Sequence, residues 1–330
     1  MGEVLILREA EVRDSLDMAS CIDAVSEAFA AYSSGRAELP AVIHLDIPEH
    51  EGEIHVKGGY VHGSDHYAIK FASGFPGNGA LDLASNDGLV LVFDARTGAP
   101  AAFLLDHGFI TDQRTGAAGG VAAKHLARED ISTVAVIGTG LQARYQLDAL
   151  SRVRTFNEVR IWGRDASRAL ACVEDLRARP DLPEGATFHM ARSVEKAVLG
   201  ADVLITCTAS REPLVQDDWL SPGMHITALG SDGPGKQELD PRILERCDVL
   251  AADSRPQCAE RGELQHARSL LGTGKVVELG EITSGEAPGR TDDSQLTVCD
   301  LTGVGVQDVA AASLALTRAL EAGLGEWMVL

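Results

Sequence analysis

The sequence predicts an α/β protein with two parts, a smaller α+β segment and a doubly wound parallel sheet. The chain has 330 residues, ample for about two domains. Its first third contains strand-like runs in which apolar and polar residues alternate, and from residue 131 strands and helices follow one another regularly. Such alternation builds a parallel sheet through right-handed crossovers.

In the first segment, a short strand and an amphipathic helix precede a series of strands. Residues 17–32 carry apolar side chains at helical spacing, which gives the helix one apolar face. The strand-like runs that follow are 41–46, 52–61, 67–73, 88–94 and 100–106, and a small-residue helix is predicted at 116–127. This order predicts an antiparallel or mixed sheet with flanking helices.

The second segment alternates strands with helices. Strands are predicted at 134–137, 158–162, 201–207, 224–229 and 296–299, and helices at 141–152, 166–178 and 307–322. The last helix, rich in Ala and Leu, could cap this segment or return to the first.

The composition excludes several classes of partner. The net charge of −20 would repel nucleic acid and anionic lipid. No apolar run approaches the length of a membrane span and the N-terminus has no signal-peptide pattern, so a cytoplasmic protein is expected. The six cysteines are scattered and no histidine motif matches a metal site, which predicts buried thiols and no metal.

The strongest motif is a strand that runs into G-x-G-x-x-A and then into an amphipathic helix, at 133–150. Gly138 permits the tight turn, Gly140 allows backbone to approach a pyrophosphate, and Ala143 allows close packing of helix on strand. The helix N-terminus, with Leu141 and Gln142, supplies N–H groups to the anion. The motif predicts a dinucleotide-binding Rossmann domain.

The next strand end bears on the choice of cofactor. An acidic residue there would bind the ribose 2′-hydroxyl, whereas an arginine accommodates a 2′-phosphate. Arg164 therefore favours NADP(H) slightly, and Asp165 keeps NAD(H) open. Thr208 follows the predicted strand at 201–207, where loops meet the nicotinamide half of the cofactor, although it is equally typical of a plain turn.

Candidate substrate residues lie in the first segment. Lys57 and Lys70 are two of only six lysines, and both fall inside apolar runs. A buried ammonium requires an anionic partner or a lowered pKa, so these lysines suggest carboxylate binding or acid–base work; snorkelling edge lysines are the alternative. Arg114 opens the predicted small-residue helix and can bind a carboxylate bidentately, and Thr115 can reach a phosphate.

A glycine-rich turn after the predicted strand at 224–229 carries Gly230, Ser231 and Asp232. Open α/β sheets bind ligands at the carboxyl ends of their strands. Asp232 is therefore a candidate for proton transfer at a substrate nitrogen or α-carbon, with an ordinary turn aspartate as the alternative.

Taken in order, these segments resemble the ornithine cyclodeaminase/mu-crystallin family. The matching stretches are AIK at 68–70, GFPGN at 74–78, DARTGAP at 94–100, LD at 105–106, ITDQRTGAA at 110–118, VIGTGLQA at 136–143, GSDGPGK at 230–236 and TGVGVQD at 302–308. The stretch at 45–57 is similar to the ectoine-utilisation branch, and the iminosuccinate and ketimine reductases are another candidate branch.

The resemblance implies a homodimer with an interrupted layout. Residues 1–125 with 305–330 would form a substrate-binding and dimerisation domain, and 126–304 a Rossmann domain that binds NAD(P). Lys70 and Arg114 would hold a substrate carboxylate, Ser85 would stand near the substrate, and Asp232 would be the acid/base. His44 replaces an arginine that relatives often carry for the carboxylate.

Two chemistries fit this family scaffold. The extra cation Lys57 suggests a substrate with two carboxylates, which favours an NAD(P)H-dependent imine or ketimine reductase that forms a small L-amino acid, with iminosuccinate to aspartate as an example. The alternative is an NAD-dependent cyclodeaminase that acts on ornithine or an ectoine-derived diamino acid. An NADP-binding protein without enzymatic activity is a third possibility.

Overall fold

A computed structural model describes residues 2–330. Internal contacts divide the chain into two compact units. The first unit comprises Met1–Arg114 and Val304–Leu330, and the second comprises Thr115–Gly303. The roles predicted for the two parts, substrate binding with dimerisation and cofactor binding, stay predictions.

The strands, in chain order, are β1 Glu3–Arg8, β2 Ala37–Glu38, β3 Ile43–Ile47, β4 Gly52–Val61, β5 His66–Gly74, β6 Asn86–Asp94, β7 Pro100–Leu105, β8 Thr133–Ile137, β9 Glu158–Trp162, β10 Thr187–Met190, β11 Val203–Thr206, β12 Arg211–Val215, β13 His225–Ala228, β14 Gln237–Leu239, β15 Val249–Ala252, β16 Val276–Glu278, β17 Thr297–Asp300 and β18 Glu326–Val329. The helices are α1 Glu9–Ser15, α2 Met18–Ser33, α3 Phe109–Leu126, α4 Leu141–Val153, α5 Ala166–Arg177, α6 Val194–Val198, α7 Pro241–Arg246, α8 Arg255–Arg261, α9 Leu279–Thr283 and α10 Gly305–Ala322.

The first unit is built on a mixed sheet of eight strands in the order β18-β1-β7-β6-β5-β4-β2, with β3 paired to β4. β1 and β7 are parallel and the other neighbours are antiparallel. Helix α2 buries the apolar face that its sequence predicts, including Ile22, Val25 and Phe29. Helix α10 packs against α2, β4 and β5, so the C-terminal helix belongs to this unit.

The second unit contains an eight-stranded sheet in the order β10-β9-β8-β11-β13-β17-β15-β16, and every neighbouring pair is parallel. Its central strands β11, β13 and β17 are buried along their whole length, as expected where helices cover both faces. The sheet confirms the predicted α/β class and Rossmann-like arrangement. Strands β12 and β14 form a separate two-stranded sheet.

One predicted boundary is wrong in a way that affects the site. The sequence places Arg114 at the start of a helix that begins at residue 116, but α3 begins at Phe109. The Asp106 carboxylate accepts a hydrogen bond from the Ile110 N–H at 2.7 Å and caps the helix. Residues 109–115 carry no clear apolar period, which is why the pattern alone does not reveal the first turns.

The cysteine prediction is confirmed: all six thiols are free, and five of them are buried. Burial raises the pKa of Cys21 and Cys247 to about 12, so these thiols stay protonated. Among residues 2–330, no helix is long and apolar enough to cross a membrane. The cytoplasmic location stays a prediction.

Candidate active site

A buried ionic cluster lies in the first unit, where three elements converge. Lys70 comes from β5, Arg114 from α3 and Asp308 from the first turn of α10. One Asp308 oxygen, Oδ1, lies 2.9 Å from Lys70 Nζ and 2.9 Å from Arg114 Nε. Their side chains are 3%, 6% and 1% exposed, so all three charges are removed from bulk water. Buried charges of this kind are stable only when paired.

The environment shifts the pKa of both partners in the Lys70–Asp308 pair. Burial lowers the pKa of Lys70 to about 7, and the charges of Arg114 and Lys57 act in the same direction against the attraction of Asp308. Burial disfavours ionisation of Asp308, yet Arg114 and Lys70 together hold the pKa of that carboxyl below its usual value. Lys70 is therefore poised to gain or lose a proton near neutral pH.

Several polar atoms of this cluster lack a hydrogen-bond partner among the described residues. They are Asp308 Oδ2, Gln307 Nε2 and Asp106 Oδ1, and all are buried. Gln307 Oε1 accepts a hydrogen bond from Arg114 Nη1 at 2.5 Å, which leaves its amide nitrogen for another partner. Unsatisfied buried polar atoms are costly, and they are atoms that a polar ligand can satisfy.

The other predicted first-unit residues lie at different distances from the cluster. Lys57 is half-buried and stands opposite Lys70 in the β4–β5 register. His44 is exposed and stands opposite His55 on β4. Ser85 is exposed in the loop before β6, where its carbonyl accepts a hydrogen bond from Phe75 N–H. The structure thus brings Lys57, Lys70 and Arg114 together, and gives no contact between Ser85 and these cations.

In the second unit, the glycine motif forms a sharp turn between β8 and α4. Gly138 has φ +137°, and a Cβ atom there would lie 2.5 Å from Cys207 Sγ, so only glycine fits. Gly140 is the N-cap of α4, and a Cβ atom there would meet no atom within 4 Å. Ala143 is fully buried against the sheet. An open turn at the N-terminus of a helix fits a dinucleotide pyrophosphate.

Three further predicted cofactor residues flank this turn. Leu141 is 54% exposed. The Gln142 side-chain oxygen accepts a hydrogen bond from Gln146 Nε2 at 3.4 Å. Gln146 Nε2 also donates to the Thr115 carbonyl at 2.8 Å, which fixes the backbone of α3 beside α4. These contacts hold the turn but leave the exposed Leu141 side of it open.

Arg164 and Asp165 follow β9 and have different surroundings. The Asp165 carboxylate caps α5, because one oxygen accepts hydrogen bonds from the N–H groups of Ser167 and Arg168. These hydrogen bonds and that of the Ser167 hydroxyl lower the pKa of Asp165. Arg164 is exposed. The acidic residue is therefore already engaged by its own helix, whereas the arginine is accessible to solvent.

A buried glutamate connects the loops after β11 and β13. Glu238 accepts hydrogen bonds from the Thr208 N–H at 2.6 Å, the Thr208 hydroxyl at 2.7 Å and the Gly230 N–H at 2.8 Å. Burial raises the pKa of Glu238 to about 7. Ser231 is also buried, and its hydroxyl donates to the Lys236 carbonyl at 2.9 Å. Thr208, Gly230 and Ser231 are thus held at the carboxyl edge of the sheet.

Asp232, the predicted acid/base, projects from the same loop as an exposed residue. Its carboxylate pairs with Lys236 Nζ at 2.5 Å, four residues further on. The side chain is 53% exposed, so solvent weakens this pair. The carboxyl group is accessible for proton exchange.

Sequence reasoning missed three important side chains: Asp308, Gln307 and Glu238. All are buried polar residues whose partners are distant in the chain. Two of them close the TGVGVQD stretch, so the signal was present but carried no assigned role. It also missed a surface cluster of His44, Glu53 and His55, in which one potential metal-ligand atom of each residue lies within 4.8 Å of the other two. Sequence spacing alone did not suggest a metal site, because His44 lies on β3 and meets His55 and Glu53 of β4 only when the two strands pair.

The chain belongs to the ornithine cyclodeaminase/mu-crystallin family, whose model matches residues 3–323. The chain is 42% identical over 329 residues to a dehydrogenase-like protein of Rhizobium meliloti (strain 1021), covering 98% of each chain. It is 35% identical over 326 residues to the alanine dehydrogenase of Archaeoglobus fulgidus, covering 98% of this chain and 97% of the relative. It is 30% identical over 325 residues to the iminosuccinate reductase of Paracoccus denitrificans (strain Pd 1222), covering 98% of this chain and 99% of the relative.

Solved structures agree over nearly the whole chain. An archaeal alanine dehydrogenase dimer with bound NAD superposes with a TM-score of 0.90 and 34% identity, covering 100% of both chains. The Δ1-pyrroline-2-carboxylate reductase of Thermococcus litoralis, in complex with NADH and L-proline, superposes with a TM-score of 0.89 and 31% identity. The match covers 98% of this chain and 99% of the reductase. A lysine cyclodeaminase superposes with a TM-score of 0.86 and 29% identity, and the match covers 100% of this chain and 96% of the cyclodeaminase. The chain is therefore an enzyme of this oxidoreductase and cyclodeaminase class.

Proposed function

We propose that the protein is an NAD(P)H-dependent imine reductase of the amino-acid dehydrogenase type, and that its substrate is an imino-dicarboxylate such as iminosuccinate, reduced to aspartate. The observation that carries this proposal is the buried cluster of Lys70, Arg114 and Asp308 with Lys57 beside it. The cations Lys70 and Arg114 converge on one carboxylate oxygen, with the half-buried Lys57 opposite Lys70, and a site of this kind favours an anionic ligand.

In this proposal, Lys70 and Arg114 hold the α-carboxylate. A guanidinium binds a carboxylate through a fork of N–H donors, and an ammonium acts as a point charge. Asp308 keeps both cations in place while the site is empty of substrate. A bound carboxylate would raise the pKa of Lys70 from about 7, because an added negative charge favours the ammonium form.

Lys57 provides the argument for a second carboxylate. It stands opposite Lys70 across the β4–β5 pair, and its charge acts on both Lys70 and Asp308. A second carboxylate on the substrate gains from this cation, whereas a second amino group is repelled by it. The charge pattern therefore favours an imino-dicarboxylate over a diamino acid.

Gly138, Gly140 and Ala143 with the start of α4 would hold the cofactor, which supplies a hydride to the C=N carbon when bound. We propose a preference for NADP(H), since Arg164 is exposed and Asp165 caps its own helix. Arg164→Ala is expected to weaken NADPH binding about tenfold and to leave NADH binding unchanged. Equal loss for both cofactors would contradict the preference.

Two residues are proposed to handle the proton that the reduced nitrogen requires. Lys70 is the first candidate, because its ammonium group carries a transferable proton beside the carboxylate that it would hold. Asp232 is the second candidate, since its carboxyl group is exposed beside Lys236. Asp232→Asn is expected to reduce kcat more than it raises KM.

The test compares substrates that differ in one carboxylate. Iminosuccinate and Δ1-pyrroline-2-carboxylate are supplied with NADPH or NADH, and cofactor oxidation is followed by absorbance. Lys57→Met is expected to raise KM for iminosuccinate about tenfold or more and to change KM for the monocarboxylate little. Lys196→Met, on the exposed face of α6, is the matched control.

A cyclodeaminase is the second candidate, because a lysine cyclodeaminase has nearly the same fold. Such an enzyme releases ammonia from a diamino acid with no net consumption of cofactor. Ammonia release from ornithine, lysine or an ectoine-derived diamino acid, with no NAD(P)H oxidation by any imine, would overturn the reductase proposal.

A further inference from the structure

A compact group of two imidazoles and two carboxylates lies on the β3–β4 strand pair, apart from the Lys70–Asp308 cluster. His44 on β3 is directly opposite His55 on β4, and Asp46 is directly opposite Glu53. His44 Nε2 lies 2.9 Å from Asp46 Oδ1, and His55 Nε2 lies 3.4 Å from Glu53 Oε2. We call these four residues the hairpin histidine cluster.

Asp46 determines which nitrogen of the His44 ring carries hydrogen. A carboxylate beside Nε2 favours the tautomer with the proton on Nε2, which leaves an unshared electron pair on Nδ1. His44 Nδ1 lies 3.4 Å from His55 Nδ1. A metal ion between these two nitrogen atoms would accept one electron pair from each ring.

Two carboxylates stand beside the rings. Asp46 and Glu53 are like charges at directly opposed positions of an antiparallel pair, which destabilises the pairing. A cation bound beside them would relieve this repulsion.

The distances match those of a transition-metal site. Zn²⁺ binds imidazole nitrogen at about 2.0–2.1 Å in tetrahedral geometry, which places two ligand atoms about 3.3–3.4 Å apart. The observed separation of the two Nδ1 atoms is 3.4 Å. Glu53 supplies a third ligand, because one ligand atom from each of His44, Glu53 and His55 lies within 4.8 Å of the other two.

We propose that His44, His55 and Glu53 bind one divalent transition-metal ion, with Zn²⁺ as the best match. The neighbouring Asp46 accepts the Nε2–H of His44 and so orients its Nδ1 toward the ion, as carboxylates commonly do behind metal-bound histidines. Three protein ligands leave a fourth position for water or another oxygen ligand. Lys57, which the proposed function assigns to the substrate, lies two positions from His55 on β4, so the metal site would border the proposed substrate site; its test below measures metal binding and does not depend on reductase activity.

The test titrates the whole metal-free protein with ZnCl2 by isothermal calorimetry. Wild-type protein is expected to bind one equivalent of Zn²⁺ per chain. His44→Ala and His55→Ala are each expected to abolish this binding, and Asp46→Asn to weaken it about 10–100-fold. His62→Ala is the matched control, because His62, in the turn after β4, is another exposed histidine beside a carboxylate, Glu38, at 3.0 Å.

A second measurement uses Co²⁺ as a spectroscopic probe of the same variants. Intense visible absorption typical of tetrahedral Co²⁺ is expected for wild type and for His62→Ala, and is expected to vanish in His55→Ala. Thermal unfolding of each variant confirms that the fold is intact. Zinc binding that survives in both His44→Ala and His55→Ala, or weak binding that His62→Ala reduces equally, would overturn the proposal.

Discussion

Lys70 depends on a carboxylate that lies 238 positions further along the chain. Its burial is predictable, because a rare lysine falls inside an apolar strand. Its partner is not predictable from spacing, since Asp308 reaches Lys70 only because α10 packs on β4 and β5. The sequence therefore identifies which cation is unusual but not which anion stabilises it, and the same holds for Arg114.

Substrate affinity should fall as pH rises through the pKa of Lys70. Burial lowers that pKa from 10.5 to about 7, and only the ammonium form attracts a carboxylate. KM for the imino acid is therefore expected to be lowest below pH 7 and to rise above it. The measurement is KM against pH for wild type and Lys70→Arg, in which the guanidinium stays charged. An unchanged pH profile in Lys70→Arg would contradict the assignment.

The elements differ in how far local sequence specifies them. The unit β8–turn–α4 is predicted well, because a strand, a glycine turn and an amphipathic helix are each local patterns. The start of α3 is predicted seven residues too late, because its cap depends on Asp106 and its first turns are not amphipathic. This error affects the predicted site, because the prediction placed Arg114 at the start of the helix, whereas Arg114 lies inside α3.

Glu238 makes the stability of the β11 and β13 loops depend on pH. Burial raises its pKa from 4.5 to about 7. A raised carboxyl pKa stabilises the fold below pH 4.5, and this contribution is lost as pH rises through 7. Asp300 acts in the same direction, since burial raises its pKa to about 7 as well.

The wild-type free energy of unfolding should therefore fall between about pH 4.5 and 7 and level off above it. Glu238→Gln is expected to reduce that fall by about 2–3 kcal/mol, because glutamine has no proton to lose in this range. Urea unfolding at several pH values measures the slope for both proteins. Equal slopes in wild type and Glu238→Gln would show that this carboxyl group is already ionised in the folded state.

At the scale of the whole molecule, one sheet face of the first unit is apolar and exposed. A row of side chains crosses four strands at paired positions, Ile43, Val56, Phe71 and Leu89, and Leu105 of β7 lines the same surface depression as Phe71 and Leu89. Ile43 is 61% exposed, Phe71 39% and Leu105 36%. Contiguous exposed apolar surface of this kind is typical of an interface. We propose that it is the interface of a homodimer.

Ile43→Asp is expected to convert the dimer to a monomer, since a buried unpaired carboxylate at the interface is costly. Size-exclusion chromatography with light scattering gives the mass of each species. Leu170→Asp on α5 is the matched control, because Leu170 is 47% exposed on a different unit. A wild-type monomer, or an Ile43→Asp variant that remains dimeric, would contradict this interface.

Sequence patterns establish the fold class of each part, but not which part receives the last helix. The apolar period of α10 fits either unit equally well, and only its packing on α2, β4 and β5 resolves the question. That packing also brings Gln307 and Asp308 to the cations. The order of the second sheet, with β17 inserted between β13 and β15, likewise depends on pairings between distant segments.

The central claim is net reduction of an imine, and the most direct measurement is its stoichiometry. Purified protein is mixed with NADPH or NADH and a limiting amount of iminosuccinate, and the oxidised cofactor and aspartate are both quantified. The reductase proposal predicts one cofactor oxidised for each aspartate formed. No cofactor oxidation with this or any other imine, together with ammonia release from a diamino acid at constant NAD(P)H, would contradict it.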